Sequence, residues 1–334
     1  MKQPLRIGIT LGDINGVGPE VALKAARHCA RNLESVRLIL IGSGSVVREQ
    51  AKAFKQRAIR EWQPSEGRDP GSKVSIWDPN PHLHLSWRPG EIHADASRAA
   101  ASWIRTAVQA CRNGVLDAMV TAPICKEGFH NAGIHFPGHT EMLAELTGTR
   151  RFAMMLFGGT LRVVLVTRHI PLARVAKELT KNKILETIRL TCEALPWMGE
   201  RRARVAVCGL NPHAGDGGKI GREEIGIIAP AIRRARSEGF DVTGPVPSDT
   251  VFHQALKRKY DAVIAMYHDQ GLGPLKMLAF DFGVNVTLGL PIVRTSPDHG
   301  TAFDIAGRNK AESQSMIEAI EWAADLARRK NPWK

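Results

Sequence analysis

No stretch of the 334 residues approaches the run of about 20 apolar residues that a membrane-spanning helix needs. The opening Met1-Lys2-Gln3-Pro4-Leu5-Arg6 runs into a short apolar stretch and then an acid, Asp13, which is not the build of a secretory signal. Cysteine is scarce. Cys29, Cys111, Cys125, Cys192 and Cys208 form no CxxC pair and are odd in number, so a disulfide framework is not expected and a reducing cytoplasm is. Cys125 precedes Lys126, whose charge could lower the thiol pKa, but a passive buried thiol is the plainer reading. Acids are also short: 33 Asp and Glu against 46 Lys and Arg, a net charge of +13. Such a surplus suits anionic ligands or nucleic acid. The basic residues are nevertheless scattered, with small groups at Arg201, Arg202 and Arg204, at Arg233, Arg234 and Arg236, and at Arg328, Arg329 and Lys330. Neither zinc-finger spacing nor an RNA-binding aromatic signature accompanies them, so a nucleic-acid partner is not expected.

What remains is an ordinary globular composition, 43% apolar and 24% charged, long enough for one large domain or two. Short apolar runs read as strands at 5–10, 36–41, 118–121, 152–157, 161–167, 204–208, 262–266 and 284–288. Many are continuously apolar, as strands covered on both faces are. Helical patterns alternate with them at 19–31, 98–112, 183–195, 222–238, 251–257 (capped by Ser248) and 313–329. This alternation predicts an α/β architecture with sheets sandwiched between helices. Only 63–91, rich in Pro, Gly, Asp and Trp, breaks the rhythm; it reads as surface loops around one strand at 74–77.

Five segments carry candidate chemistry. LGDINGVGPE from Leu11 follows the first strand and places Gly12, Gly16 and Gly18 before a helix start, yet its spacing is not GxGxxG and Pro19 removes an N–H donor. His169, His213 and His268 each follow a predicted strand, the way an α/β enzyme would assemble a metal site; singly, each reads more readily as an ordinary hydrogen-bonded histidine. Pro137-Gly138-His139-Thr140-Glu141 reads as a turn into a helix capped by Thr140, with room for an anion on its N–H groups. Lys276, Asn285 and Arg294, with Asp249 upstream, suit a substrate bearing phosphate and carboxylate. SPDHGTAFDIAG from Ser296 reads as a structured loop able to hold a nucleotide.

Taken together, LGDINGVGPE, GHTE from Gly138, CGLNPHAGDGG from Cys208, PSDT from Pro247, AMYHDQGL from Ala265 and VNVTLGLPIVRTSPDHGTAFDIAG from Val284 resemble the 4-hydroxythreonine-4-phosphate dehydrogenase family of vitamin B6 biosynthesis. GVGPE and DHGTAFDIAG also resemble loops of the wider isocitrate and isopropylmalate dehydrogenase fold. That resemblance implies two α/β/α lobes with a cleft between them and no Rossmann dinucleotide fold. Lobe 1 would be 1–130 plus 275–334, with the cofactor-associated loops and with strand 284–288 in the sheet of strand 5–10; lobe 2 would be 131–274, with the metal and dimer-interface residues.

The family's features carry over residue by residue. His169, His213 and His268 match its metal ligands, in a site completed across a homodimer interface; zinc, magnesium or cobalt are the candidate ions. His139, Thr140, Lys276, Asn285 and Arg294 match its substrate-binding positions, and Asp249 and Lys276 its catalytic ones. NAD or NADP is expected on Gly12 and Gly16 of the first loop and on His299, Gly300, Thr301 and Asp304 of the last. The implied reaction oxidises the 3-hydroxyl of 4-phosphohydroxy-L-threonine, and the β-keto acid then loses carbon dioxide. The chain departs from the family in reading Asp13-Ile14-Asn15-Gly16 where Asp-Pro-Ala-Gly is usual, and Cys125 before Lys126 where a histidine often stands. Alternatives are a paralogous dehydrogenase of a sugar-acid 4-phosphate (threonate or erythronate) or of a diol, and a phosphate acyltransferase of related fold.

Overall fold

The computed structural model describes residues 3–55, 57–67 and 69–334. Its strands in chain order are β1 (Leu5–Thr10), β2 (Val36–Ile41), β3 (Arg60–Glu61), β4 (Val74–Trp77), β5 (Ala118–Thr121) and β6 (Ala153–Gly158), then β7 (Leu161–Leu165), β8 (Val205–Cys208), β9 (Val242–Val246), β10 (Ala262–Ala265), β11 (Val284–Leu288) and β12 (Arg294–Pro297). The helices are α1 (Gly18–Asn32), α2 (Gly44–Ala53), α3 (Ala94–Arg112), α4 (Lys126–Asn131), α5 (His139–Thr147) and α6 (Val175–Glu178), then α7 (Lys181–Trp197), α8 (Ala229–Ser237), α9 (Ser248–Leu256), α10 (His268–Ala279) and α11 (Gln314–Ala327). The chain divides into two compact units, 1–149 with 290–334, and 150–289.

In the first unit the strands run β3-β4-β2-β1-β5-β12, every neighbour parallel. The central strands are buried along almost their whole length, which is why their sequences read as largely apolar runs. Helix α3 packs on β1 and β5 and buries Ala96, Ala99, Ala100, Ala107 and Trp103, mostly small residues that allow close approach. Helix α1 opens with Pro19 in its first turn, where the lost N–H had no intrahelical partner, and carries Glu20 at its start and Arg31 at its end, in accord with the helix dipole.

In the second unit the order is β11-β6-β7-β10-β8-β9. Strands β7, β10, β8 and β9 are parallel neighbours, while β6 is antiparallel to both β11 and β7. Its core joins Leu156, Val163, Leu165, Val263 and Ala265 to Val251, Phe252 and Leu272 of the covering helices.

Several expectations are corrected. The unit borders fall at 149/150 and 289/290 rather than near 130 and 274, because α4 and α5 pack on α3 and β11 pairs with β6. Strand 284–288 accordingly falls within the second unit rather than the first. The stretch 222–238 is helical but not uniform: a π turn, Glu224–Ile228, runs directly into α8. Ser248 is the first residue of α9, not its side-chain cap, and Thr140 lies inside the first turn of α5, whose N-cap position is Gly138. Helices α2, α4, α6 and α10 and the short β3, β9 and β12 go beyond the elements read from sequence.

Gly12 shows how tightly the first unit's loops are built. Its φ is +67°, and a Cβ there would lie 2.2 Å from the carbonyl oxygen of Pro123. Gly133 has a similar φ, +72°, but open space around it. Gly133→Ala should therefore cost only the backbone strain, about 1 kcal/mol, whereas Gly12→Ala adds a backbone clash and should cost clearly more. Denaturant unfolding of the two variants checks this; equal losses would mean that the Pro123 contact is not limiting.

Candidate functional site

In the second unit, three adjacent parallel strands, β7, β10 and β8, end at the same edge. Loops at the carboxyl edge of such sheets are where α/β proteins bind ligands. His169 follows β7, His268 follows β10 and His213 follows β8, so each of the three expected histidines stands at this edge. The rings of His169 and His268 lie with centroids 5.5 Å apart. Nδ1 of His268 pairs with Oδ1 of Asp269 at 2.7 Å, which leaves Nε2 for a ligand and fixes the ring. Both histidines line a cavity of about 450 Å³ with Arg168, Tyr267, Asp269 and Leu172. His213 lies outside that cavity lining, in the loop 212–218, where His213 to Gly217 all have left-handed φ values of 53°, 53°, 83°, 41° and 65°. Imidazoles are donors that suit zinc, cobalt or nickel, so the residue types fit a divalent ion. Among the described residues of the single chain, however, no three His, Cys, Asp or Glu side chains converge closely enough to hold one.

Asp249 is exposed in the first turn of α9, which packs against the loop of His213. Lys276 is half-buried on α10, its Nζ 5.7 Å from the centre of the Phe280 ring. Asn285 is half-buried on β11, and its Oδ1 is shielded from solvent without a hydrogen-bond partner among the described residues.

The first unit gathers a different set at the ends of β1, β5 and β12. The loops after β1 and β12 touch: Val17 N–H donates to the Thr301 carbonyl at 2.8 Å, and a Cβ on Gly16 would lie 2.8 Å from that same oxygen. The small faces of Gly12 and Gly16 are thus taken up by the chain itself. Gly300 faces open space and Asp304 is exposed, while His299 places Nδ1 3.0 Å from the Gly300 carbonyl and leaves Nε2 shielded without a partner among the described residues. The segment 87–90, outside the expected elements, clasps these loops. Asn15 accepts N–H bonds from Arg88 and Gly90, both at 2.8 Å, and Pro89 packs where a Cβ on Gly307 would be, 2.7 Å away. Burial raises the carboxyl pKa of Asp13 above its ordinary value, against the hydrogen bonds from Asn15 N–H and the Ser97 hydroxyl.

Arg294, at the start of β12, is 2% exposed, and its guanidinium donates to the Thr121 hydroxyl at 2.7 and 3.2 Å. Burial lowers its pKa to about 9, opposed by Glu141. His139 lies under its influence: burial first, then the charge of Arg294, hold the imidazole well below 6.5, and its Nε2 has no partner among the described residues. Thr140 is buried beside it. Sequence reasoning missed Thr121, which ends a strand and carries no motif. Cys125 proves structural: its thiol accepts the Gly128 N–H at 3.2 Å, and burial raises its pKa.

His139 is neutral at pH 7, and the sign of its linkage follows. The unfolded imidazole takes a proton near 6.5 and the folded one only at lower pH, so its contribution to stability is complete above that value and falls as the pH drops below it. In NMR titrations His139 should be the late-protonating imidazole, and Arg294→Ala should move its midpoint upward. An unchanged midpoint would show that Arg294 does not act on it.

Comparison with known proteins finds relatives over nearly the whole chain. The family described as "Pyridoxal phosphate biosynthetic protein PdxA" matches residues 34–323. A 4-hydroxythreonine-4-phosphate dehydrogenase of Geobacter metallireducens is 46% identical over 97% of this chain and 96% of its own length. A D-threonate 4-phosphate dehydrogenase of Cupriavidus necator is 42% identical over 97% of this chain and 98% of its own. The crystal structure of a 4-hydroxythreonine-4-phosphate dehydrogenase from Klebsiella pneumoniae superimposes with a TM-score of 0.85 at 40% identity, over 97% of this chain and 99% of that one. The chain belongs to the PdxA family of pyridoxal phosphate biosynthetic proteins.

Proposed function

We propose that this chain is a metal-dependent, NAD(P)-linked dehydrogenase. It oxidises the 3-hydroxyl of 4-phosphohydroxy-L-threonine to give 2-amino-3-oxo-4-phosphooxybutanoate, which decarboxylates to 3-amino-2-oxopropyl phosphate in pyridoxal 5'-phosphate biosynthesis. The observation that carries this reading is the delivery of three imidazoles to one edge by three adjacent parallel strands. When bound, a nicotinamide supplies the hydride acceptor, and a divalent ion held by His169, His213 and His268 supplies the Lewis acidity that makes the hydroxyl acidic.

This chain's own residues do the rest. Arg294 and Lys276 take the phosphate and the carboxylate; a buried guanidinium suits a dianion because it can pair with two oxygens at once. Neutral His139 can donate to or accept from the substrate without adding a like charge beside Arg294, and Thr140 adds a hydroxyl. The unpartnered Oδ1 of Asn285 is an acceptor for the substrate's ammonium or hydroxyl. Asp249 takes the hydroxyl proton, and Lys276 supplies one to carbon as carbon dioxide leaves. The cofactor is assigned to the loop of His299, Gly300, Thr301 and Asp304, with Gly12 and Gly16 shaping the loop beneath it.

A homodimer with the metal site completed by a second copy fits two features. No three ligands converge within one chain among the described residues. Met277, Phe280 and Leu172 are also exposed, at 91%, 74% and 71%, and apolar side chains so exposed call for a covering surface. All five cysteines are free and buried, in keeping with a reducing cytoplasm.

The test is steady-state reduction of NAD+ and of NADP+ with 4-phosphohydroxy-L-threonine and, in parallel, D-threonate 4-phosphate, with and without added divalent ion. Turnover should need the ion and favour the amino acid; preference for threonate would place the chain with the Cupriavidus relative. Lys276→Ala and Arg294→Ala should each lower kcat/KM about ten- to a hundredfold, since a hydrogen bond to a charged group contributes about 1.5–3 kcal/mol, and Arg294→Lys should recover only part. Arg328→Ala, at the end of α11, should change nothing. Wild-type efficiency in both clamp variants would overturn their assignment.

A further inference from the structure

The three histidine-bearing loops are stitched together at their bases by buried side chains that none of the expected site residues includes. The Thr167 hydroxyl, just after β7, donates to the Met266 carbonyl at 2.7 Å. The Met266 N–H, just after β10, donates to Oε1 of Gln270 at 2.7 Å. Nε2 of the same Gln270 donates to the Gly209 carbonyl, just after β8, at 2.7 Å. Beyond Gly209 the stitching passes to Glu224. Its Oε1 accepts the N–H groups of Leu210 and Asn211, both at 2.8 Å, and its Oε2 accepts Nδ2 of Asn211 at 3.0 Å. Thr167, Gln270 and Glu224 are 5%, 8% and 3% exposed.

Each of these groups is bonded in a way that fixes distance. Gln270 uses its acceptor on one loop and its donor on the next, so it sets the gap between the chain leading to His268 and the chain leading to His213. Thr167 does the same between the loops of His169 and His268. Glu224 holds the start of a turn that is costly by itself. His213, Ala214 and Asp216 are non-glycine residues at φ of 53°, 53° and 41°, and such residues hold a left-handed conformation only where the surroundings impose it. The turn also folds onto its own anchor: a Cβ on Gly215 would lie 2.6 Å from Oε2 of Glu224, and one on Gly209 would lie 2.7 Å from Cα of Ala214. Glu224 opens a π turn, a rare form that recurs at functional sites.

We propose that Gln270, flanked by Thr167 and Glu224, is a positioning residue: it touches neither substrate nor ion but fixes where this chain presents His169, His268 and His213 at the sheet edge, and thereby the divalent-ion affinity of the dimer sites to which these histidines contribute. This rests on the reading of those histidines as metal ligands. Groups behind the ligands of metal sites govern affinity by about 10- to 100-fold, which sets the size of the expected effect.

The test is Co2+ titration of the whole protein, followed by the visible absorption of the bound ion, with thermal midpoints measured alongside. Gln270→Met keeps the volume and removes both hydrogen bonds; it should bind Co2+ about 10- to 100-fold more weakly and with an altered spectrum. Its KM for substrate at saturating ion should stay near that of the wild type. Glu224→Gln and Thr167→Val should weaken binding in the same direction, and they carry the test if Gln270→Met does not fold. Val251→Ala, a core truncation in the same unit, should lower the midpoint and leave Co2+ affinity alone. The proposal is overturned if the Gln270, Glu224 and Thr167 variants bind Co2+ with wild-type affinity and spectrum, or if Val251→Ala weakens binding as much as they do. Failure of the wild type to take up Co2+ would overturn the ligand reading itself, and the proposal with it.

Discussion

Parallel pairing of β7, β10 and β8 is the constraint on which the second unit's chemistry depends. Val263, Ile264 and Ala265 stand in register with Val163, Val164 and Leu165, and Ala262, Val263 and Ile264 with Val205, Ala206 and Val207. Three strands so registered end together, and the loops that follow them become neighbours through backbone hydrogen bonds, however far apart they are in sequence. The polar residues at that edge then have two tasks. Some must satisfy the backbone groups left unpaired where the strands stop; Thr167, Gln270 and Glu224 do this. Others are left facing outward, and these are the imidazoles. On the proposed reading of the histidines, the same few hydrogen bonds that satisfy these backbone groups also hold the imidazole loops in place.

The first unit applies the same topology to a different chemical end. Its loops after β1 and β12 are pressed together at Gly16 and Thr301, and clasped by Asn15 on the chain at 88–90. Among the polar groups it buries is the guanidinium of Arg294, which donates to the Thr121 hydroxyl. A buried cation with a neutral imidazole beside it is poor design for stability alone, since both groups lose solvation. It is suitable design for a site that receives an anion. The second unit, by contrast, keeps His169, His213 and Asp249 exposed, where ions and protons exchange readily.

Much of this was legible in the sequence, and the limits have physical causes. The buried strands announced themselves because both faces are covered, so 5–10, 36–41, 118–121 and 284–288 coincide with β1, β2, β5 and β11. The α/β class followed from their alternation with helices. The six motifs led to the family, which composition and charge alone could not. Helix starts were less legible. The N-cap positions of α5 and α9 fall to Gly138 and Pro247, neither of which offers a side-chain oxygen, so the hydroxyls of Thr140 and Ser248 suggested caps one or two residues late. Which unit β11 joins depends on an antiparallel pairing with β6, a long-range choice with no local signature. Gln270 and Glu224 were invisible as positioning groups, since a buried amide and a buried carboxylate look like any others until their partners are known.

That three strand-end imidazoles form one metal centre is tested most directly by X-ray absorption at the zinc edge of the zinc-loaded protein. Three imidazole nitrogens at about 2.0–2.1 Å are expected, and the histidine signal should fall in each of the His169→Ala, His213→Ala and His268→Ala proteins. A shell of oxygens alone, or a spectrum that none of the three substitutions alters, would contradict it.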